Sequence, residues 1–200
     1  MSTHKKESRT LPPLQRRIVL YLAKANPQTI NEIAANILSG SKSTWRAFNS
    51  LKAKGLIDEM DVKNYRGREY SYYWLTDEGV LTATIEGAPL DIILTKTQKI
   101  FPENRILQCF LEMAPIFNPD VIRIGYSAIK NKRKLQDIDL AKLLFVVMLT
   151  DIPLQLYTEV LKTLQKYPNE YELLKTKIEK ISFGIDQLKK VVWDQENLAS

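Results

Sequence analysis

The chain has 200 residues, 44% hydrophobic and 26% charged, the balance of an ordinary globular protein with room for one large domain or two small ones. Its longest apolar run, Leu143 to Leu149, is far below the roughly 20 residues of a membrane span, and charges without an apolar signal region open the chain, which predicts a soluble, cytoplasmic protein. A net charge of +6 favours a polyanionic partner, and the single cysteine excludes a disulfide within the chain.

Met1 to Thr10 is a polar, basic tail holding His4, the only histidine. Such tails are mostly frayed and idle, although Lys5, Lys6 and Arg9 can follow a DNA groove. A first helix opens at Pro12 and Pro13, where a missing N–H costs little, and carries Leu14, Ile18, Leu22 and Ala25 as one apolar stripe. Thr29 to Glu32 has the spacing of a capping box, so a second helix starts near Ile30. It carries Ile30, Ile33, Ala34, Ile37 and Leu38 and is expected to stop at Gly40. The turn Ser39-Gly40-Ser41 leads straight into a third helix.

That third helix lies in Ser43 to Ile57, STWRAFNSLKAKGLI. Thr44, Phe48 and Leu51 recur at helical spacing and face a core, while Lys42, Trp45, Arg46 and Asn49 gather on the opposite side. Lys54 and Gly55 supply a cation in the last turn and a left-handed cap. The order so far is helix-turn-helix.

After Gly55 the period becomes extended. Ile57 to Lys63 and Glu69 to Leu75 predict two strands around the turn Asn64-Tyr65-Arg66-Gly67-Arg68, a hairpin with a basic tip. Thr76 to Gly79 then opens a fourth helix running to about Gly87. Over Leu11 to Gly87, STWRAFNSLKAKGLI followed by YYWLTDEG resembles prokaryotic winged-helix regulators of the PadR and MarR kind. Trp45 stands where such helices often carry a smaller aromatic or polar residue.

The resemblance implies a winged helix-turn-helix domain over 11–87 whose third helix reads DNA and whose hairpin is the wing. Groove chemistry then divides the roles. Arg46 suits a guanine edge and Asn49 an adenine. Ser41, Lys42 and Ser43, at the positive end of the helix dipole, suit phosphate, and Lys52 belongs to the same DNA-facing set. Arg66 and Arg68 reach the minor groove or the adjacent backbone. Trp45 either stacks on sugar or a thymine methyl or closes the core from the side. Up to Gly87 there are 13 Lys and Arg against 9 Asp and Glu, so most of the cationic excess lies in this half and predicts salt-sensitive phosphate binding.

Beyond Gly87 a helical region over 88–168 is punctuated by prolines. The expected segments are Leu90 to Lys99, Glu103 to Ala114, Pro119 to Asn131, Ile138 to Thr150 and Leu154 to Tyr167. Leu140 to Leu149 is apolar nearly all round and should be its central helix. Cys109 reads as core packing, with redox sensing the lesser alternative. Lys130 to Lys134 is either a second phosphate contact or a solvated helix end.

Over 169–200 Tyr171, Leu174, Ile178, Ile181, Ile185, Leu188 and Val192 alternate spacings of three and four, a helical seam with Asn169 as its expected cap. It can pack on its own chain or on a second copy, and the PadR likeness points to subunit pairing. The fold class expected is therefore mostly α with a small β-hairpin wing, followed by an all-helical C-terminal region.

The chain has no glycine-rich phosphate loop, no Cys or His cluster with metal spacing and no linked nucleophile and base, so neither enzymatic activity nor a cofactor or metal is expected. The favoured function is a homodimeric regulator binding double-stranded DNA sequence-specifically, its helical half dimerising and sensing a small-molecule or protein effector. The rival is a winged helix serving as a protein-docking scaffold within a larger assembly, without sequence-specific DNA binding.

Overall fold

The computed structural model describes residues 11–116, 159, 162–169, 171–172, 175–176 and 179–180. The described chain is mostly helical with one small antiparallel hairpin: α1 Pro13–Leu22, α2 Ile30–Asn36, α3 Ser41–Ala53, β1 Ile57–Tyr65, β2 Arg68–Leu75, α4 Asp77–Ile85, α5 Leu90–Ile100 and α6 Arg105–Met113, with a 3-10 turn at Ala114–Ile116. No helix among the described residues is long and apolar enough to cross a membrane.

Local signals set the helix ends. Pro13 occupies the first turn of α1, and α2 opens on the expected capping box: the Thr29 hydroxyl accepts from the Glu32 amide at 3.3 Å while the Thr29 amide donates to Glu32 Oε2 at 2.7 Å. Three helices then end in the same Schellman turn. In each, a residue in left-handed conformation donates to the carbonyl three positions back, and its successor to the carbonyl five positions back. The turning residues are Gly55 after α3, Gly87 after α4 and Leu38 after α2, with φ of 73°, 93° and 49°.

Leu38 is thus a correction. Expected on the apolar face of the second helix, it lies past the helix end and is 89% exposed. Gly40, expected to stop α2, is the N-cap of α3 in extended conformation. Five positions past Ile33 the chain must already reverse, and the core on this side closes with Ile37. An Arg17 guanidinium N–H from α1 donates to the Ile37 carbonyl and holds the turn.

The hairpin pairs Ile57 with Leu75 at its root and Tyr65 with Arg68 at its tip, with a bulge at Met60 between Glu59 and Asp61. Its turn is shorter than the five residues expected. Only Arg66 and Gly67 turn the chain, both with positive φ (51° and 75°), the two-residue type I′ geometry whose twist matches the strands. Asn64, Tyr65 and Arg68 are strand residues.

Trp74 anchors the root. It is fully buried, and its indole N–H donates to the carbonyl of Leu22 at 2.7 Å and of Ala25 at 3.2 Å, capping the end of α1. Burying a tryptophan requires a partner for that N–H, and the end of α1 supplies it. Gln28 and Tyr73 exchange two backbone hydrogen bonds that tie the α1–α2 connection to β2.

The core continues past Gly87. Ile93, Leu107, Phe110 and Leu111 lie in one cluster with Ile18, Phe48 and Trp74, and Phe101 tilts onto Trp74 at 5.5 Å. Asn104 links two helix starts, its side-chain oxygen accepting from the Leu107 amide while its NH2 donates to both oxygens of Asp77 at 2.9 Å. Cys109 is buried in this core. Leu164 and Tyr167 reach it from late in the sequence, and Tyr171 packs against it half-buried. The Tyr167 hydroxyl and Lys166 ammonium donate to Glu112 at 2.7 and 2.8 Å. Burial works to raise the Glu112 pKa, but these two bonds hold it below its ordinary value. Burial, together with the same carboxylate, pushes the Tyr167 hydroxyl up.

The Tyr171 amide donates to the Tyr167 carbonyl at 2.8 Å and Pro168 is already helical. The last described helical residues therefore open at Tyr167, and Asn169, expected as the cap, lies inside the first turn. Proline fits there because that turn has no intrahelical use for its amide. The tail Met1 to Thr10, the Lys130 to Lys134 cluster, the helix expected at Leu140 to Leu149, and the seam residues Leu174, Ile178, Ile181, Ile185, Leu188 and Val192 lie outside the described residues.

Candidate nucleic-acid interface

α3 is two-sided. Thr44, Ala47, Phe48 and Leu51 are buried, and Phe48 meets Tyr73 of β2 edge-on at 4.8 Å. A polar clamp fixes the helix against α1: Gln15 Nε2 donates to Ser50 Oγ at 3.0 Å, and Lys54 Nζ donates to Gln15 Oε1 at 2.8 Å. With Gln15 buried, rotating α3 would strand its side-chain amide without partners. The orientation of the opposite side is thereby fixed.

That side brings together most of the residues the sequence singled out. Lys42, Arg46 and Lys52 are exposed and Asn49 is half-buried. Trp45 is 56% exposed, which answers the alternative in which it closes the core. At the helix start Gly40 offers no side-chain cap to the first amides. Ser41 and Ser43 are exposed there, and the Ser43 hydroxyl donates back to the Gly40 carbonyl at 3.0 Å. Uncapped amides at the positive end of a 13-residue helix suit an anion. Lys52 differs from the rest, since its ammonium lies over the Tyr73 ring at 5.1 Å and joins α3 to the hairpin root.

The two hairpin arginines are placed differently. Arg66 forms the tip, its guanidinium over the Tyr65 ring at 5.2 Å. Arg68 is paired inside β2 and, with side chains alternating along a strand, shares a face with Tyr70, Tyr72 and Trp74. Tyr73, which contacts α3, is on the other face. The tip and α3 thus offer cations at two separated points. The acids Asp58, Glu59 and Asp61 lie in the root half of β1, with Asp61 3.7 Å from Lys63.

Sequence reasoning passed over the tyrosines. Tyr65 is 61% exposed and Tyr70 36%, and both lie among cations. The period-2 pattern that identified the strands also carried this signal. No protein-family model, no curated protein and no solved structure matches the chain.

Proposed function

We propose that the chain is a sequence-specific double-stranded-DNA-binding transcriptional regulator acting as a homodimer, with α3 as the recognition helix of a winged helix-turn-helix and the β1–β2 hairpin as its wing. The observation that carries this reading is the side of α3 that keeps Lys42, Trp45 and Arg46 in solvent beside half-buried Asn49, while its other side is clamped in the core. A preset helix with bidentate donors on its free side matches the width and donor-acceptor code of the major groove. The order α1, α2, α3, hairpin, α4 supports the same reading, as does the cationic tip at Arg66. Arg46 and Asn49 read bases in this account, and Lys42, Ser41, Ser43, Lys52, Arg66 and Arg68 hold the backbone.

Site selection from a random duplex pool, followed by titration across salt concentrations, tests it. A defined site should emerge, with affinity falling by a log–log slope of about 0.9 per phosphate contact. Light scattering should give a dimer at micromolar concentration; a monomer would assign the C-terminal seam to internal packing. The exposed Leu38 and Trp45 favour a second reading, a protein-docking scaffold, and a protein that binds no duplex at all would select it.

A further inference from the structure

The hairpin face away from α3 carries, beside the Arg66 and Arg68 that the duplex reading uses, a row of tyrosines that it does not. Residues paired across antiparallel strands point to the same side, so the register of Lys63 with Tyr70, Tyr65 with Arg68 and Asp61 with Tyr72 places all six together. The cation–ring contacts agree: Lys63 Nζ lies 4.8 Å over the Tyr72 ring and the Arg66 guanidinium 5.2 Å over Tyr65. At the root this face is sealed by Trp74 under α1, Tyr72 is half-buried, and from Tyr70 outward it is open.

We propose that this face binds an unpaired nucleic-acid strand, its bases stacking on Tyr65, Tyr70 and Tyr72 and its phosphates meeting Lys63, Arg66 and Arg68. Duplex DNA stacks its bases on one another and offers no free ring face, whereas a single strand offers one at every nucleotide. Tyr70 and Tyr72, two apart on β2, are about 6.8 Å apart along the strand, roughly twice the 3.4 Å base spacing of one DNA strand, a separation that admits one base as Lys63 moves from the Tyr72 ring to a phosphate. Charge selects the occupant: three cations border the rings, and of the two acids on this face Asp58 sits at the root opposite Trp74 while Asp61 faces Lys63 at 3.7 Å. The inference does not rest on α3 reading duplex, because α3 and these rings lie on opposite faces of the hairpin, with Arg66 and Arg68 serving either ligand.

The test is fluorescence anisotropy of the full chain with a labelled oligothymidine of about a dozen nucleotides, beside a labelled duplex of equal length. The wild type should bind the oligothymidine with strong salt dependence. Replacing Tyr65 and Tyr70 together by alanine should weaken that binding at least roughly tenfold and weaken duplex binding far less, through Arg66 alone, with the melting temperature unchanged because neither ring is in the core. Tyr70→Phe keeps the ring and should keep the binding. No oligothymidine binding at low salt overturns the proposal, as does binding that survives the double alanine variant. A wild-type dimer that the double variant turns into a monomer also overturns it, making the face a contact between copies. Loss of the duplex arm alone would refute the recognition role of α3 and leave this inference standing.

Discussion

α3 and α4 both end in a glycine-closed Schellman turn, at Gly55 and Gly87, yet α4 buries every residue from Asp77 to Ala83 while α3 keeps one side in water. The polar groups of α4 and its caps are engaged in the fold. Thr76 accepts from the Gly79 amide and donates to the Gly55 carbonyl at 2.6 Å, Asp77 receives Asn104, and Glu86 holds Arg16 at 2.8 Å. On α3 Ser50 and Lys54 reach Gln15, Ser43 bonds back to Gly40 and Lys52 rests on Tyr73, while the hydroxyl of buried Thr44 has no hydrogen-bond partner among the described residues. Where every polar group on a helix has an internal partner, its charges explain the fold. Where a clamped helix leaves Lys42, Arg46 and a large aromatic in solvent, they call for a partner outside it.

That contrast can be broken from its buried end. Phe48→Ala removes a fully buried ring that joins α3 to Tyr73, so it should cost about 3–5 kcal/mol in urea unfolding. Gly79→Ala comes next. Its Cβ would sit 2.0 Å from the Leu56 carbonyl oxygen, backbone that cannot swing aside, and displacing α4 should cost about 3 kcal/mol. An unchanged midpoint for either variant would mean that the helix is not seated as described. Leu38→Gly has the opposite sign. It relieves a left-handed leucine at a cost of roughly 1–2 kcal/mol, offset by about 0.5–1 kcal/mol of chain entropy. With the side chain 89% exposed, a net gain of about 0.5 kcal/mol should appear as a raised melting temperature.

How much of this was legible in the sequence depends on how far each signal reaches along the chain. The Thr29–Glu32 box, the glycine stop at Gly55 and the two-sidedness of α3 are settled within a few residues, and each was readable. Leu38 at a turn position was not, because leucine is a good helix former and only the Arg17 and Ile37 contact across 20 positions shows where α2 must end. The hairpin tip reads longer in the sequence than it is, because Asn64, Arg66, Gly67 and Arg68 all suit turns in composition. Which face of the hairpin carries the tyrosines followed from Tyr73 meeting Phe48, a tertiary fact. The burial of α4 was equally hidden, since Asp77, Glu78 and Thr82 look like solvent residues until Asn104 and the other packed elements surround them.

The smallest stability change is expected at Arg46, an exposed residue whose loss should move unfolding by no more than about 0.5 kcal/mol, and it bears most directly on the central claim that the free side of α3 reads DNA. The measurement compares wild type and Arg46→Ala on the selected duplex and on random duplex, at one salt concentration. A base-reading arginine predicts a loss of about 1–3 kcal/mol on the selected site with little change on random sequence. Equal losses on both duplexes would contradict it.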